Sequence, residues 1–106
     1  MDIQHILQLT NGDREFIVEL LETYRVETNK SIISLLSALR NNDSKEIGLI
    51  VHKLRPSTQY LKITNLESIL REVELQTNPT SQLEIRLMEL WEKLEIELKD
   101  LITQFN

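Results

Sequence analysis

Cysteine is absent from this 106-residue chain, and glycine, proline and histidine occur only twice each. Without cysteine there is no disulfide framework and no thiolate chemistry, which fits a reducing compartment. Two glycines are too few for a glycine-rich nucleotide lid or phosphate loop. No apolar run approaches the length of a membrane span, and the opening MDIQHILQLT is neither basic nor apolar enough for a signal peptide. A cytoplasmic module away from the membrane is therefore the expectation. Positive charge is also in deficit, and a net charge of -5 argues against non-specific nucleic-acid binding. With only His5 and His52 as imidazoles, and carboxylates at ordinary helix-surface spacings, no metal site is expected.

Helix formers fill the intervals between the few breakers, with apolar residues three or four apart, which is an all-α pattern. A hydrophobic share of 41% supplies one core, so residues 1–106 are expected to form one domain, with no room for a second, catalytic one. Residues 2–9 read as a short leading helix stopped by Asn11-Gly12. Phe16, Ile17, Leu20, Leu21 and Tyr24 make the next apolar face, and Ile32, Ile33, Leu35, Leu36 and Leu39 resume it after the polar Glu27-Thr28-Asn29-Lys30. This segment reads as two consecutive helices or as one long helix with an irregular middle. Asp43 with Glu46, Thr64 with Glu67 and Ser81 with Glu84 have the spacing of capping pairs that open three further helices. Asn78-Pro79-Thr80-Ser81 ends the second of these, and the last carries the stripe Leu83, Leu87, Leu90, Trp91, Leu94, Leu98, Leu101 and Ile102. Trp91, Tyr24, Tyr60 and the two phenylalanines are read as filling or flanking the core. Short loops between four principal amphipathic helices imply an antiparallel four-helix bundle with an extra N-terminal helix.

The stretch from Asp43 to Ile63 holds a histidine where a helix core would not want it. At about 100° of rotation per residue, Ile47, Ile50, Val51, Leu54, Thr58 and Leu61 gather on one face. His52 falls about 140° from the centre of that stripe, among Lys45, Gly48, Arg55, Pro56 and Gln59. It is expected to stand in solvent on a rigid helix, where an imidazole can act as a nucleophile. Leu49 and Tyr60 also point away from the stripe, on the side of Pro56, and exposed apolar residues around a polar reactive centre suit a transient interface. A glycine inside a helix costs about 1 kcal/mol relative to alanine, so Gly48 has a reason, either close packing or partner access. His5 has no comparable constellation and reads as a surface or cap-packing residue.

The run His52-Lys53-Leu54-Arg55-Pro56-Ser57 resembles the His-x-Leu-Lys-Gly-Ser signature of histidine phosphotransfer (HPt) domains. Upstream, Asn11 to Phe16, Leu20 to Tyr24 and Leu36 to Leu39 are similar to the family's first helical hairpin. Downstream, Thr64 through Glu74 resembles the helix after the phosphorylated one. The resemblance covers roughly residues 8–76, and the last helix agrees in pattern alone. The family usually has glycine four and ten residues after the histidine, where this chain has Pro56 and Lys62. Pro56 removes the backbone donor to the carbonyl of His52 and is expected to bend the helix there.

The resemblance implies a phosphocarrier with no kinase or ATPase activity of its own. His52 would take a phosphoryl group from the aspartyl phosphate of a receiver domain and pass it to another, the receivers belonging to a hybrid sensor kinase or a response regulator. No cofactor is expected, and the magnesium ion of such transfers belongs to the receiver. Arg55, at the family's lysine position, would donate to phosphoryl oxygens. Gln59 is a candidate to hold the other ring nitrogen, and Lys45, Lys53 and Lys62 would make the surroundings positive. Gly48, Leu49, Lys53, Pro56, Gln59 and Tyr60 make the expected docking surface of a monomer.

Two other readings stand beside this one. An HPt-like module that docks receivers without being phosphorylated is supported by Pro56 and Lys62. The run is also similar to the His-Glu-Leu-Arg-Thr-Pro box of sensor histidine kinase dimerisation helices, but that box places its proline one residue later and opens a two-helix hairpin. Here two well-formed helices precede the motif and two follow it.

Overall fold

The structure is a computed structural model that describes residues 1–75 and 81–106. The described residues are helical throughout apart from termini and short turns: α1 Ile3–Thr10, α2 Arg14–Arg40, α3 Ser44–Tyr60, α4 Thr64–Leu75 and α5 Ser81–Phe105. The turn expected at Asn78 to Ser81 falls largely in residues 76–80, outside the described residues. Helix α2 packs against α3 and α5, α3 against α4, α4 against α5, and α1 against α2. The molecule measures 43 × 20 × 18 Å, and its long dimension is close to the length of α2 at about 1.5 Å per residue.

Side-chain caps set where the first three helices begin. Asp2 accepts from the N–H of His5 at 3.0 Å, Asp13 from that of Phe16 at 3.1 Å and Asp43 from that of Glu46 at 3.1 Å. Helix ends follow one recipe. After α2, the N–H of Asn42 bonds the carbonyl of Leu39 and that of Asp43 the carbonyl of Ala38, with Asn42 left-handed at φ 51°. After α3, the N–H groups of Lys62 and Ile63 bond the carbonyls of Gln59 and Thr58, with Lys62 left-handed at φ 54°. Asparagine tolerates that conformation, whereas lysine is strained in it. Replacing Lys62 with glycine relieves a left-handed cost of about 1–2 kcal/mol, less the added freedom of the unfolded chain. The variant is expected to gain about 0.5–1 kcal/mol in a denaturant titration. A loss would show that the lysine side chain holds this turn together.

Helix α2 is one unbroken helix, which resolves the open choice about its polar middle. Thr28 and Ser31 lie on its buried face, and the neighbouring Asn29 accepts from the indole N–H of Trp91 at 2.9 Å. The polar stretch thus meets α5 through Asn29, with no glycine or proline to interrupt the helix. Two residues expected on its apolar face lie outside it, because the buried line runs through Ile17, Leu21, Tyr24, Thr28, Ile32 and Leu35. Phe16 and Ile33, one residue off that line, are 44% and 60% exposed. The core joins this line to Val51 and Leu54 of α3, Leu66, Leu70 and Val73 of α4, and Leu87, Trp91, Leu94 and Leu98 of α5.

Thr64 is itself the first residue of α4. Glu67 turns its carboxylate toward α3, where Oε1 accepts from Arg55 and Gln59, and away from the capping pair expected with Thr64. On α5 the stripe holds: Leu83, Leu87, Trp91, Leu94, Leu98 and Leu101 are buried, and Leu90 and Ile102 pack partly buried beside them.

Candidate functional site

Helix α3 divides cleanly into two faces. Ile47, Ile50, Val51, Leu54 and Thr58 are buried, and His52, Lys53, Pro56, Gln59 and Tyr60 are exposed. The helix is anchored from beneath by a buried polar link. The Thr58 hydroxyl donates to the carbonyl of Leu54 at 2.9 Å, and its oxygen lies 3.0 Å from the Tyr24 hydroxyl of α2. Burial pushes the Tyr24 phenol up from its ordinary pKa, with the hydrogen bonds to Thr58 and Thr28 opposing it. Tyr24 therefore keeps its proton at neutral pH and can serve as donor in this link.

Pro56 lies inside α3, which continues as one helix to Tyr60. Proline has no N–H, so the carbonyl of His52 lacks its helical donor. Two residues further on, the carbonyl of Leu54 accepts from the hydroxyls of both Ser57 and Thr58. At the end of α3 the His5 ring lends support, its Nε2–H donating to the carbonyl of Tyr60 at 2.7 Å. His5 is thus a cap-packing residue, at a helix end that still has free carbonyls.

Around His52 the helix surface is low. Gly48, one turn before it, would meet nothing within 4 Å if it carried a Cβ, so close packing is not the reason for a glycine there. Gly48→Ala is expected to stabilise the protein by about 0.5–1 kcal/mol, the usual helix-interior difference, measured by thermal melting. A destabilised variant would mean that a neighbour does need the space. Leu49 is 58% and Tyr60 51% exposed, both large apolar groups on the histidine side of α3. Leu49 and Lys53 also line a shallow groove of about 260 Å³ with Glu27, Lys30, Ser31 and Ser34 of α2. That contribution from α2 was not legible in the sequence, because it depends on which helix packs beside α3.

Arg55 and Gln59 both turn to α4. Arg55 reaches Glu74 through Nη1 at 3.2 Å and Glu67 through Nη2 at 3.3 Å, and its side chain is 28% exposed. Gln59 donates its amide to Glu67 at 2.9 Å, which replaces the contact to His52 expected of it. Arg71 completes the cluster, 3.8 Å from Glu67. The hydrogen bond from Gln59, followed by the bond and charge of Arg55 and the charge of Arg71, holds the Glu67 carboxyl below its ordinary pKa, with burial opposing. Glu67 and Glu74 are the residues that sequence reasoning missed at this site. The only signal for them was their place on the helix after the short turn from α3.

The arrangement is an exposed imidazole on a ridge, with bare backbone one turn before it, apolar side chains around it and a cation nearby whose two terminal nitrogens are engaged by carboxylates. Among the described residues no helix is long and apolar enough to cross a membrane, and no group of three or more histidine, cysteine or carboxylate residues is placed to hold a metal ion. Comparison with protein-family models, with curated proteins and with solved structures finds no significant match for this chain.

Proposed function

We propose that this chain is a histidine phosphotransfer module of HPt type, an antiparallel four-helix bundle of α2 to α5 with α1 as an additional helix. It accepts a phosphoryl group on His52 from a receiver-domain aspartyl phosphate and passes it to a second receiver. The observation that carries this reading is the exposure of His52 in the middle of α3, with Gly48 and Pro56 one turn to either side and the anchored core face opposite. Lys62 adds support. The family's usual glycine ten residues after the histidine falls here on a left-handed turn position, where glycine is the unstrained choice.

The chemistry asks little of this protein. Phosphoryl transfer is carried by positioning and by stabilising charge on the transferred group. In neutral imidazole one ring nitrogen carries a lone pair, and it attacks phosphorus in line with the bond to the aspartyl oxygen. The N–P bond forms as the P–O bond breaks, the aspartate leaves as a carboxylate, and the proton on the other ring nitrogen is released to water. Return of the phosphoryl group to a second receiver reverses these events. The protein needs no cofactor and no kinase activity, magnesium being supplied by the receiver. It acts as a cytoplasmic monomer.

A second reading is favoured by one observation, the commitment of Arg55 to Glu67 and Glu74. On that reading the same surface docks a receiver and no phosphoryl group moves. One experiment separates the two: incubate the domain with receiver domains already phosphorylated and follow acid-labile phosphate by intact mass. Transfer to His52 supports the phosphocarrier, and binding without transfer supports the docking module. Absence of both across a broad panel overturns both.

A further inference from the structure

The cluster at the α3–α4 junction has a role that the phosphocarrier reading does not itself provide. In the resting protein Arg55 is gripped by two carboxylates, each meeting a single guanidinium nitrogen, at 3.2 Å from Glu74 and 3.3 Å from Glu67. Charge-assisted bonds of this kind are usually about 2.7–2.9 Å, and the strong arrangement is bidentate to one carboxylate. Neither condition is met. The Nε of Arg55 is buried and has no hydrogen-bond partner, so the guanidinium is incompletely satisfied where it rests. Glu67 meanwhile keeps other partners when Arg55 leaves, a hydrogen bond from Gln59 at 2.9 Å and the charge of Arg71 at 3.8 Å. The resting grip is therefore loose on the arginine side and supported on the glutamate side, which is what an exchangeable contact requires.

Resting on the phosphocarrier reading, we infer that Glu67 and Glu74 are positioning residues that hold Arg55 on α4 until a phosphoryl group arrives at His52, one turn away, and draws the guanidinium off. A phosphoryl group carries more charge than a carboxylate and offers three acceptor oxygens, so it competes well for a cation held this way. The two glutamates thereby slow acceptance, because Arg55 must leave them before it can stabilise the transferring group. Partly exposed ion pairs hold weakly, and the competition is worth up to about fivefold in rate.

The test uses phosphoramidate as a small donor, so that no receiver needs to be identified. A ring nitrogen of His52 attacks phosphorus, the N–P bond of the donor breaks, and ammonia leaves. Labelling rates would be measured by intact mass for the natural protein, the Glu67→Gln/Glu74→Gln variant, Arg55→Ala, and the variant with all three substitutions. The double glutamine variant is expected to label about three- to fivefold faster, and that gain should vanish when Arg55 is alanine. An unchanged or slower double variant overturns the inference. So does a gain that persists without Arg55, since the glutamates would then act on the donor anion by charge alone. If His52 takes no label in the natural protein, the phosphocarrier reading falls and the inference falls with it. Label without a rate change removes the inference alone.

Discussion

His52→Gln is expected to abolish acid-labile phosphate on the protein, both from phosphorylated receivers and from phosphoramidate, while leaving the fold intact. Glutamine has similar length and can hydrogen-bond to water, but its amide nitrogen has no lone pair available for attack on phosphorus. The loss should therefore be complete. Stability should stay within about 0.5 kcal/mol, since His52 is exposed, caps no helix end and lies opposite the buried face of α3. The two readouts must be taken together. Lost label with an unchanged melt assigns chemistry to His52. Lost label with a large loss of stability would place the imidazole in a structural role. Label that survives in the variant would move the nucleophile elsewhere, and His5, whose Nε2–H is engaged with the carbonyl of Tyr60, would be the next histidine to replace.

How much of this site is legible in the sequence depends on the range of the interaction involved. The two faces of α3 follow from a local period, and every residue assigned to its stripe from Ile47 to Leu61 is buried. The exposure of His52, Leu49 and Tyr60 is the complement of that stripe. Caps are equally local, and Asp43 with the N–H of Glu46 behaves as its spacing implies. Sequence and structure part where a side chain has a choice of partners. Gln59 has a target on its own helix in the His52 ring and Arg55 is expected to await a phosphoryl group, yet two glutamates of α4 lie within reach and carry charge. Glu67 has the spacing of a capping residue and is diverted for the same reason, since spacing along the chain says nothing of an arginine across the turn. The polar middle of α2 is another case. Asn29 is a poor helix former judged alone and becomes a useful one when Trp91 of α5 needs an acceptor. Phe16 and Ile33 show the converse, apolar residues one step off the line that packing selected.

Leu54→Ala is expected to be the opposite of His52→Gln, although it lies only two residues away. The Leu54 side chain is 3% exposed in the cluster shared by α2, α3, α4 and α5. Truncating a buried leucine removes its transfer free energy and leaves a cavity that the surroundings fill only in part, a cost of about 2–5 kcal/mol. For a domain of this size each kcal/mol lowers Tm by about 4 °C or more, so a drop on the order of 10–20 °C is expected in calorimetry. The backbone carbonyl of Leu54 accepts from Ser57 and Thr58, and alanine keeps that carbonyl, so the loss reports side-chain packing alone. Molecules that remain folded should still take label at His52, because the nucleophile lies on the other face of the same helix. Measured below the lowered Tm, the labelling rate per folded molecule should match that of the natural protein. A Leu54 variant that melts normally, beside a His52 variant that unfolds, would mean that α3 is turned nearly half a revolution about its axis, with the histidine inward and the leucine outward. The whole assignment of the site rests on that rotation, and these two substitutions measure it from both sides.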